Sequence, residues 1–349
     1  MNAAKVSIVM PAYNTAPYIE RALDSIRRIR GVPYEAWLID DGSTDRTLCL
    51  LQEFAAQNGD IHVLSQTHAG AARARNEGLR RAEGAYIYFM DSDDYVEPDG
   101  LADMVREITQ GNADVVVSGI YEEAMGAAAE MRYPACRFDT REEYLRQAVA
   151  LWDTHLPYTM GNKLYRADFL RQHQILFPET CAFGEDTRFN MQVFAAAQRI
   201  SVLEKSYYHY IRERPGSTTT RYKPDLFEIR IRENRMFWEY FEQQELLTEQ
   251  GIEYLSRRHA ERLAGCVVNL FLPDSHMSAR QKLREIERIC KDPDTKQALL
   301  SAKLRSKKMK LLLWPVRREW CGLGFLFGAG AAFVQTHLPG LFLRLKAKR

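Results

Sequence analysis

Residues 6–28 read VSIVMPAYNTAPYIERALDSIRR. The opening run, 6–10, is apolar and rich in β-branched residues, the composition of a buried strand. Past the polar loop at Tyr13 and Asn14, the residues Ile19, Leu23 and Ile26 recur on one helical face. A strand that feeds a helix through a polar loop is the repeating unit of an α/β layered domain. The unit recurs outward from this stretch. Strand-like runs at 36–39, 61–64, 86–90 and 115–118 alternate with helical spacing over 44–57, 71–82 and 100–109. The alternation predicts a largely parallel sheet flanked by helices.

Ligands of such sheets bind beyond the carboxyl ends of the strands. Polar residues gather at those ends here. Pro11-Ala12-Tyr13-Asn14 follows the first run, Asp40-Asp41-Gly42-Ser43 the second, and Asp91-Ser92-Asp93-Asp94 the fourth. Three separate loops therefore converge on one rim, which is where a site is expected.

The residue types at that rim set its chemistry. Asp91 and Asp93 form a D-x-D pair, a hard oxygen site for Mg²⁺ or Mn²⁺ in which substrate phosphates supply further ligands. The Asp40-to-Asp45 loop makes a turn, and Ser43 or Thr44 can cap the helix that follows. A carboxylate there, with Asp41 the favoured one, also suits the imide N–H of a uracil ring. Arg73, Arg75 and Asn76 line a helix that opens after Gly70, and the planar fork of an arginine suits a diphosphate. Gly184-Glu185-Asp186 offers a base for an acceptor hydroxyl, or simply an acidic helix start. Asn162-Lys163-Leu164-Tyr165 and Tyr208-His209-Tyr210-Ile211-Arg212 are polar-aromatic stretches that suit an acceptor cleft.

Taken in order, these motifs resemble family 2 glycosyltransferases: the 6–14 stretch, Ile39-Asp40-Asp41-Gly42-Ser43-Thr44-Asp45, Ala74-Arg75-Asn76-Glu77-Gly78, Phe89-Met90-Asp91-Ser92-Asp93-Asp94, then Asn162-Lys163-Leu164-Tyr165 and Gly184-Glu185-Asp186-Thr187-Arg188-Phe189. The resemblance covers roughly residues 5–220. It implies a GT-A fold (a Rossmann-like mixed, mostly parallel sheet flanked by helices), a UDP-sugar donor, inversion at the anomeric carbon, and a role in bacterial polysaccharide synthesis. It further implies that Pro11, Tyr13, Asn14, Asp41, Arg75, Asp91 and Ser92 bind the nucleotide sugar. In the same way Asp93 is implied as the metal ligand and Asp186 as the catalytic base. Asn162, Lys163, Glu185, His209, Arg212 and Ser217 are expected at the acceptor or on a loop closing over the donor. His68 departs from the family pattern, where many members carry Asn.

The expected organisation is a catalytic domain over 1–220, a helical C-terminal region over 221–302, and a basic, apolar tail over 303–349. The whole chain carries +2, yet residues 303–349 hold eleven Lys/Arg against one acid, leaving −8 for residues 1–302. A basic tail with an apolar stretch suits docking on an anionic membrane surface, with a core helix closing the C-terminal region and a membrane span over 321–343 as the alternatives. It does not point to nucleic acid, because its aromatics are not interleaved with Lys and Arg. The six cysteines form no C-x-x-C pair, which favours reduced thiols in a cytoplasmic protein on the inner face of the membrane. No G-x-G-x-x-G follows the first strand, which argues against a dinucleotide-dependent oxidoreductase. The remaining rival is a non-catalytic nucleotide-sugar binding module, which the full set of acids argues against.

Overall fold

The computed structural model describes residues 5–124, 127–180, 184–212 and 222–338. Two compact units divide the chain, Met1–Glu213 and Arg214–Arg349.

The first unit opens with the strand-helix repeats read above: β1 Val6–Ala12, α1 Ile19–Arg27, β2 Tyr34–Asp40, α2 Thr47–Ala56, β3 Ile61–Ser65, α3 Ala71–Arg81, β4 Tyr86–Phe89, β5 Tyr95–Val96, α4 Gly100–Gln110 and β6 Val115–Ala124. It continues with β7 Ala127–Met131, β8 Cys136–Phe138, α5 Arg141–Asp153, β9 Lys163–Arg166, α6 Ala167–Gln172, α7 Glu185–Ala196 and β10 Ile200–Ile211. The strands join in one sheet of order β3-β2-β1-β4-β9-β6-β10-β5, with β7 on β6 and β8 on β10. β3, β2, β1 and β4 run parallel, and β9 is inserted antiparallel between β4 and β6. This is a mixed, mostly parallel sheet flanked by helices. Every residue of β1 is buried, as befits a central strand covered on both faces.

The described residues between 140 and 212 hold more order than their pattern shows. Helix α5 starts at a capping box in which the Thr140 hydroxyl accepts from the Glu143 amide while the Glu143 carboxylate accepts from the Thr140 amide. The cap foreseen at Ser43 or Thr44 is not formed. Those residues bond Asn14 instead, and the start of α2 is served by Asp45, whose carboxylate accepts from the Thr47 amide at 2.9 Å.

The second unit is helical: α8 Leu226–Gln243, α9 Glu249–Asn269, α10 Ala279–Lys291, α11 Pro293–Ser301, α12 Lys307–Arg317 and α13 Cys321–His337. A break at residue 303 is not visible in the packing. Leu313 and Val316 of α12 share one core with Ala260, Leu263 and Val267 of α9 and with Ile286 and Ile289 of α10. α13 joins the same body through its small residues Gly324, Gly328 and Ala332. A Cβ on Gly328 would meet Phe271 at 2.7 Å and Val267 at 2.8 Å, so only glycine lets the helix lie this close. No described helix is long and apolar enough to cross a membrane.

Candidate active site

The carboxyl ends of β1, β2, β3 and β4 form the rim. Asn14 adopts the left-handed conformation (φ 49°), and its side chain ties the first two loops together. Its Oδ1 accepts from the Thr44 amide at 2.8 Å, and its own amide donates to Ser43 Oγ at 3.0 Å. Gly42 sits at φ +74°, and a Cβ there would lie 2.8 Å from the His68 amide nitrogen. The glycine thus lets the 40–45 and 65–70 loops touch.

Asp41 fastens that contact. Its Oδ1 accepts from the Ala69 amide at 2.9 Å and from Gln66 Nε2 at 2.7 Å; its Oδ2 accepts from the Gly70 amide at 2.8 Å and lies 2.8 Å from His68 Nδ1. The carboxylate is therefore already occupied at both oxygens, and its evident work is to shape the loop rather than to present a free acceptor. His68 stacks on Tyr13 at 4.0 Å between ring centroids, and both rings are exposed at the rim. The sequence left His68 unassigned. Pro11 is buried within β1, and Ser92 is buried beside the D-x-D acids.

Arg75 is the hub. It projects from α3, is only 3 % exposed, and reaches acids from two distant parts of the chain. Its Nη2 donates to Asp91 Oδ1 at 2.7 Å and its Nη1 to Asp186 Oδ1 at 2.8 Å, with Glu185 Oε1 at 3.7 Å. Its Cζ lies 5.3 Å from the Phe177 ring centroid, and its buried Nε has no hydrogen-bond partner among the described residues. Neighbouring Asn76 pins the 177–179 segment: its amide donates to Phe177 O and Glu179 Oε1, both at 2.9 Å, and its Oδ1 accepts from the Phe177 amide.

The electrostatics follow from this crowding. Desolvation pushes the Asp186 carboxyl up to about 7; Arg75 opposes the rise, while the charges of Glu185 and Asp91 add to it. Arg75 is held more firmly protonated by the same acids. Removing the hub should therefore cost stability. Arg75→Met is expected to lower the unfolding free energy by roughly 2–3 kcal/mol, below the usual range for a broken buried pair because its acids keep some exposure. Urea denaturation measures this, and an unchanged midpoint would contradict it.

The three acids of the 91–94 loop divide their work. Asp94 is fully buried: its Oδ2 accepts from Tyr208 Oη at 2.6 Å and its Oδ1 from the Ile211 amide at 2.8 Å. Burial, then the charge of Asp91, raises its carboxyl well above the usual range. It ties the D-x-D loop to β10 and is not offered to a ligand. Asp91 and Asp93 stay partly exposed. Among the described residues no three His, Cys, Asp or Glu side chains stand together as a metal cage. Two adjacent carboxylates still fit Mg²⁺ or Mn²⁺, which keeps waters and substrate phosphates as its other ligands.

Several residues expected at the acceptor do not face a cleft. Asn162 and Lys163 are fully buried. Asn162 Nδ2 donates to Ser118 O at 2.9 Å, and Lys163 Nζ donates to Leu156 O, Thr159 O and Asn162 Oδ1. All three donors of that ammonium are thus spent on fixed oxygens. His209 is enclosed as well, stacked between Tyr95 and Tyr121 with Nδ1 2.6 Å from Glu123 and Nε2 2.9 Å from Glu97. Arg212 pairs with Glu122 at 2.6 Å at the edge of the described segment, and Ser217 lies outside the described residues. Burying a polar group without partners costs more than it returns, so Asn162, Lys163 and His209 are fastened into the fold.

The acids and the arginine thus stand together at the carboxyl edge of the α/β sheet, and comparison with known proteins shows what the chain is similar to. Residues 7–173 match the pattern described as Glycosyl transferase family 2. That segment, a little under half of the chain, carries the family 2 glycosyltransferase pattern. The chain is 33 % identical over 226 residues to the Bacillus subtilis protein called uncharacterized glycosyltransferase EpsJ, covering 64 % of this chain and 65 % of that one. It is 31 % identical to the Staphylococcus aureus poly(ribitol-phosphate) beta-N-acetylglucosaminyltransferase TarS, over 61 % of this chain and 36 % of that one. The match thus spans less than two thirds of either relative. In structure, TarS in complex with UDP-GlcNAc superimposes with a TM-score of 0.61 at 23 % identity, over 93 % of this chain and 90 % of that one. The mannosyltransferase PcManGT from Pyrobaculum calidifontis, solved with GDP-Man and Mn2+, gives 0.53 at 19 % identity, over 97 % and 89 %. These likenesses show the GT-A fold.

Proposed function

We propose that this chain is an inverting, metal-dependent hexosyl- or N-acetylhexosaminyl-transferase. It moves a sugar from a UDP-sugar to a hydroxyl of a saccharide or lipid-linked saccharide in cell-surface polysaccharide or glycolipid synthesis. The observation that carries the reading is Arg75, which holds a D-x-D acid and a raised carboxyl, Asp186, on its two amino groups. The acceptor oxygen bonds to the anomeric carbon from the face opposite the diphosphate, and the bond from that carbon to the diphosphate oxygen breaks. Asp186 takes the hydroxyl proton as the new bond forms, a service worth about 10²–10⁴ in rate. Asp93, with Asp91 beside it, would hold a divalent cation, which when bound offsets the charge of the diphosphate. The stacked Tyr13 and His68 form the wall of the nucleoside pocket, and Asp41 holds that wall in place. Release of UDP on addition of UDP-sugars with Mn²⁺ tests the reading; a chain that releases none from any donor contradicts it.

The membrane partner is assigned to the outer face of α12 and α13. α13 carries no charged residue from Cys321 to Thr336, yet Leu326 and Phe333 are 64 % and 57 % exposed. Leu311, Trp314 and Trp320 are also exposed, with Lys307, Lys308, Lys310, Arg317 and Arg318 around them. Phe325 is not part of this face, since it packs edge-on against Phe271 at 4.7 Å. The basic end at 344–349 lies outside the described residues. Apolar residues ringed by cations match an anionic lipid surface, where each cation contributes about 1 kcal/mol. Such docking would seat the chain on the inner face of the membrane beside a lipid-linked acceptor. Flotation with phosphatidylserine liposomes is expected at low salt, to weaken at high salt, and to be lost in Trp314→Ser/Leu326→Ser. Equal behaviour of that variant and the parent chain would refute the docking face.

A further inference from the structure

The helical unit holds a second polar site, on elements apart from the rim acids. A cavity of about 270 Å³ opens between α8, α9 and α11. Its size sits near the small end of ligand pockets. On α8, Asn234, Trp238 and Glu242 succeed one another at four-residue spacing and so line one face. Ser256 contributes from α9 and Asp294 from α11.

Two of these residues have no explanation in the packing. Asn234 is 4 % exposed and Ser256 2 % exposed, and neither Asn234 Oδ1 nor Ser256 Oγ has a hydrogen-bond partner among the described residues. A buried polar oxygen left unpaired costs about 1–3 kcal/mol. Leucine or alanine would pack α8 on α9 without that cost. Asn234 and Ser256 both belong to the lining of this one cavity, so the two polar side chains sit in the wall a ligand would press against.

The lining also specifies the ligand's chemistry. Arg235 is matched against three acids at the cavity, Glu239, Glu242 and Asp294, and its Nε lies 3.5 Å from Asp294. The local balance is therefore negative, which repels phosphates and sugar acids. A hydroxyl on Ser256 both donates and accepts, an amide oxygen on Asn234 accepts, and the carboxylates accept. Trp238 adds a flat apolar surface. Donors and acceptors mixed around an aromatic plane fit a neutral ring with hydroxyl edges and C–H faces. We infer that this cavity binds one neutral saccharide unit, separately from the transfer site. This assignment uses the pocket's own chemistry and does not depend on the role of Asp186.

Saturation-transfer NMR on the full chain tests it, with the neutral disaccharides maltose, cellobiose, lactose and chitobiose as probes. At least one is expected to receive saturation, and its affinity should drop about tenfold in Trp238→Ala, the scale of losing a buried aromatic anchor. Because Trp238 is half-buried, Glu242→Ala serves as the second variant; Glu242 is exposed, and its loss should also weaken binding. Nucleotide release from a donor sugar should be unchanged in both. Binding that persists in both variants would place the saccharide elsewhere and overturn the assignment. So would the absence of binding by all four probes, or a preference for glucuronate or glucose 6-phosphate over them.

Discussion

Asp186→Asn is expected to lower transfer by about 10² or more while donor binding holds, because the amide keeps the shape and loses the proton affinity. Arg75 Nη1 can still donate to the amide oxygen of the variant, so the hub stays assembled. The same group sets the pH profile. A base works deprotonated, and desolvation has pushed the Asp186 carboxyl up to about 7. Below that value the carboxyl is protonated and cannot accept. kcat/KM should therefore climb about tenfold per pH unit toward neutrality and level off above it, since this parameter reports groups of the free enzyme. The Asn variant should lack that limb. Unchanged turnover, or collapse of donor binding, would remove Asp186 from the role.

Asp93→Ala is expected to abolish metal-dependent transfer while leaving the fold intact. Asp93 is partly exposed, and the structural duty of the D-x-D loop falls on buried Asp94, bound to Tyr208 and the Ile211 amide. Removing one of two adjacent hard ligands cripples a site that must share its cation with a diphosphate. Excess chelator should mimic the substitution in the parent chain. Full activity in the variant, or in chelator, would sink the metal assignment. A thermal midpoint that falls sharply would show instead that Asp93 holds the loop together.

The parallel half of the sheet was legible because each strand-helix unit carries its own local pattern. The five strand runs and four helices read over 6–118 reappear with ends shifted by a few residues. The converging loops were legible for the same reason, since a parallel strand always delivers its carboxyl end to one rim. Pairings were not legible. Arg75 and Asp186 stand 111 positions apart, and nothing local in either stretch announces that they meet. Asp41 shows the converse limit, since its acidity and loop position suited a ligand, while its oxygens serve the Ala69 and Gly70 amides. Asn162 and Lys163 misled in the same manner, because a lone polar residue in a strand does not disclose that buried carbonyls await it. His68 could have been found from its place two residues before Gly70, on the same rim. In the C-terminal third, nothing local to the sequence discloses that Gly328 lets α13 approach Phe271 and Val267.

The most direct test of the account is nucleoside diphosphate release from a panel of UDP-, GDP- and dTDP-sugars with Mn²⁺, run on the parent chain, Asp93→Ala and Asp186→Asn. UDP release is expected from at least one UDP-sugar by the parent chain, none above background by Asp93→Ala, and strongly reduced release with retained donor binding by Asp186→Asn. No release from any donor by the parent chain, or equal release by all three proteins, would contradict it.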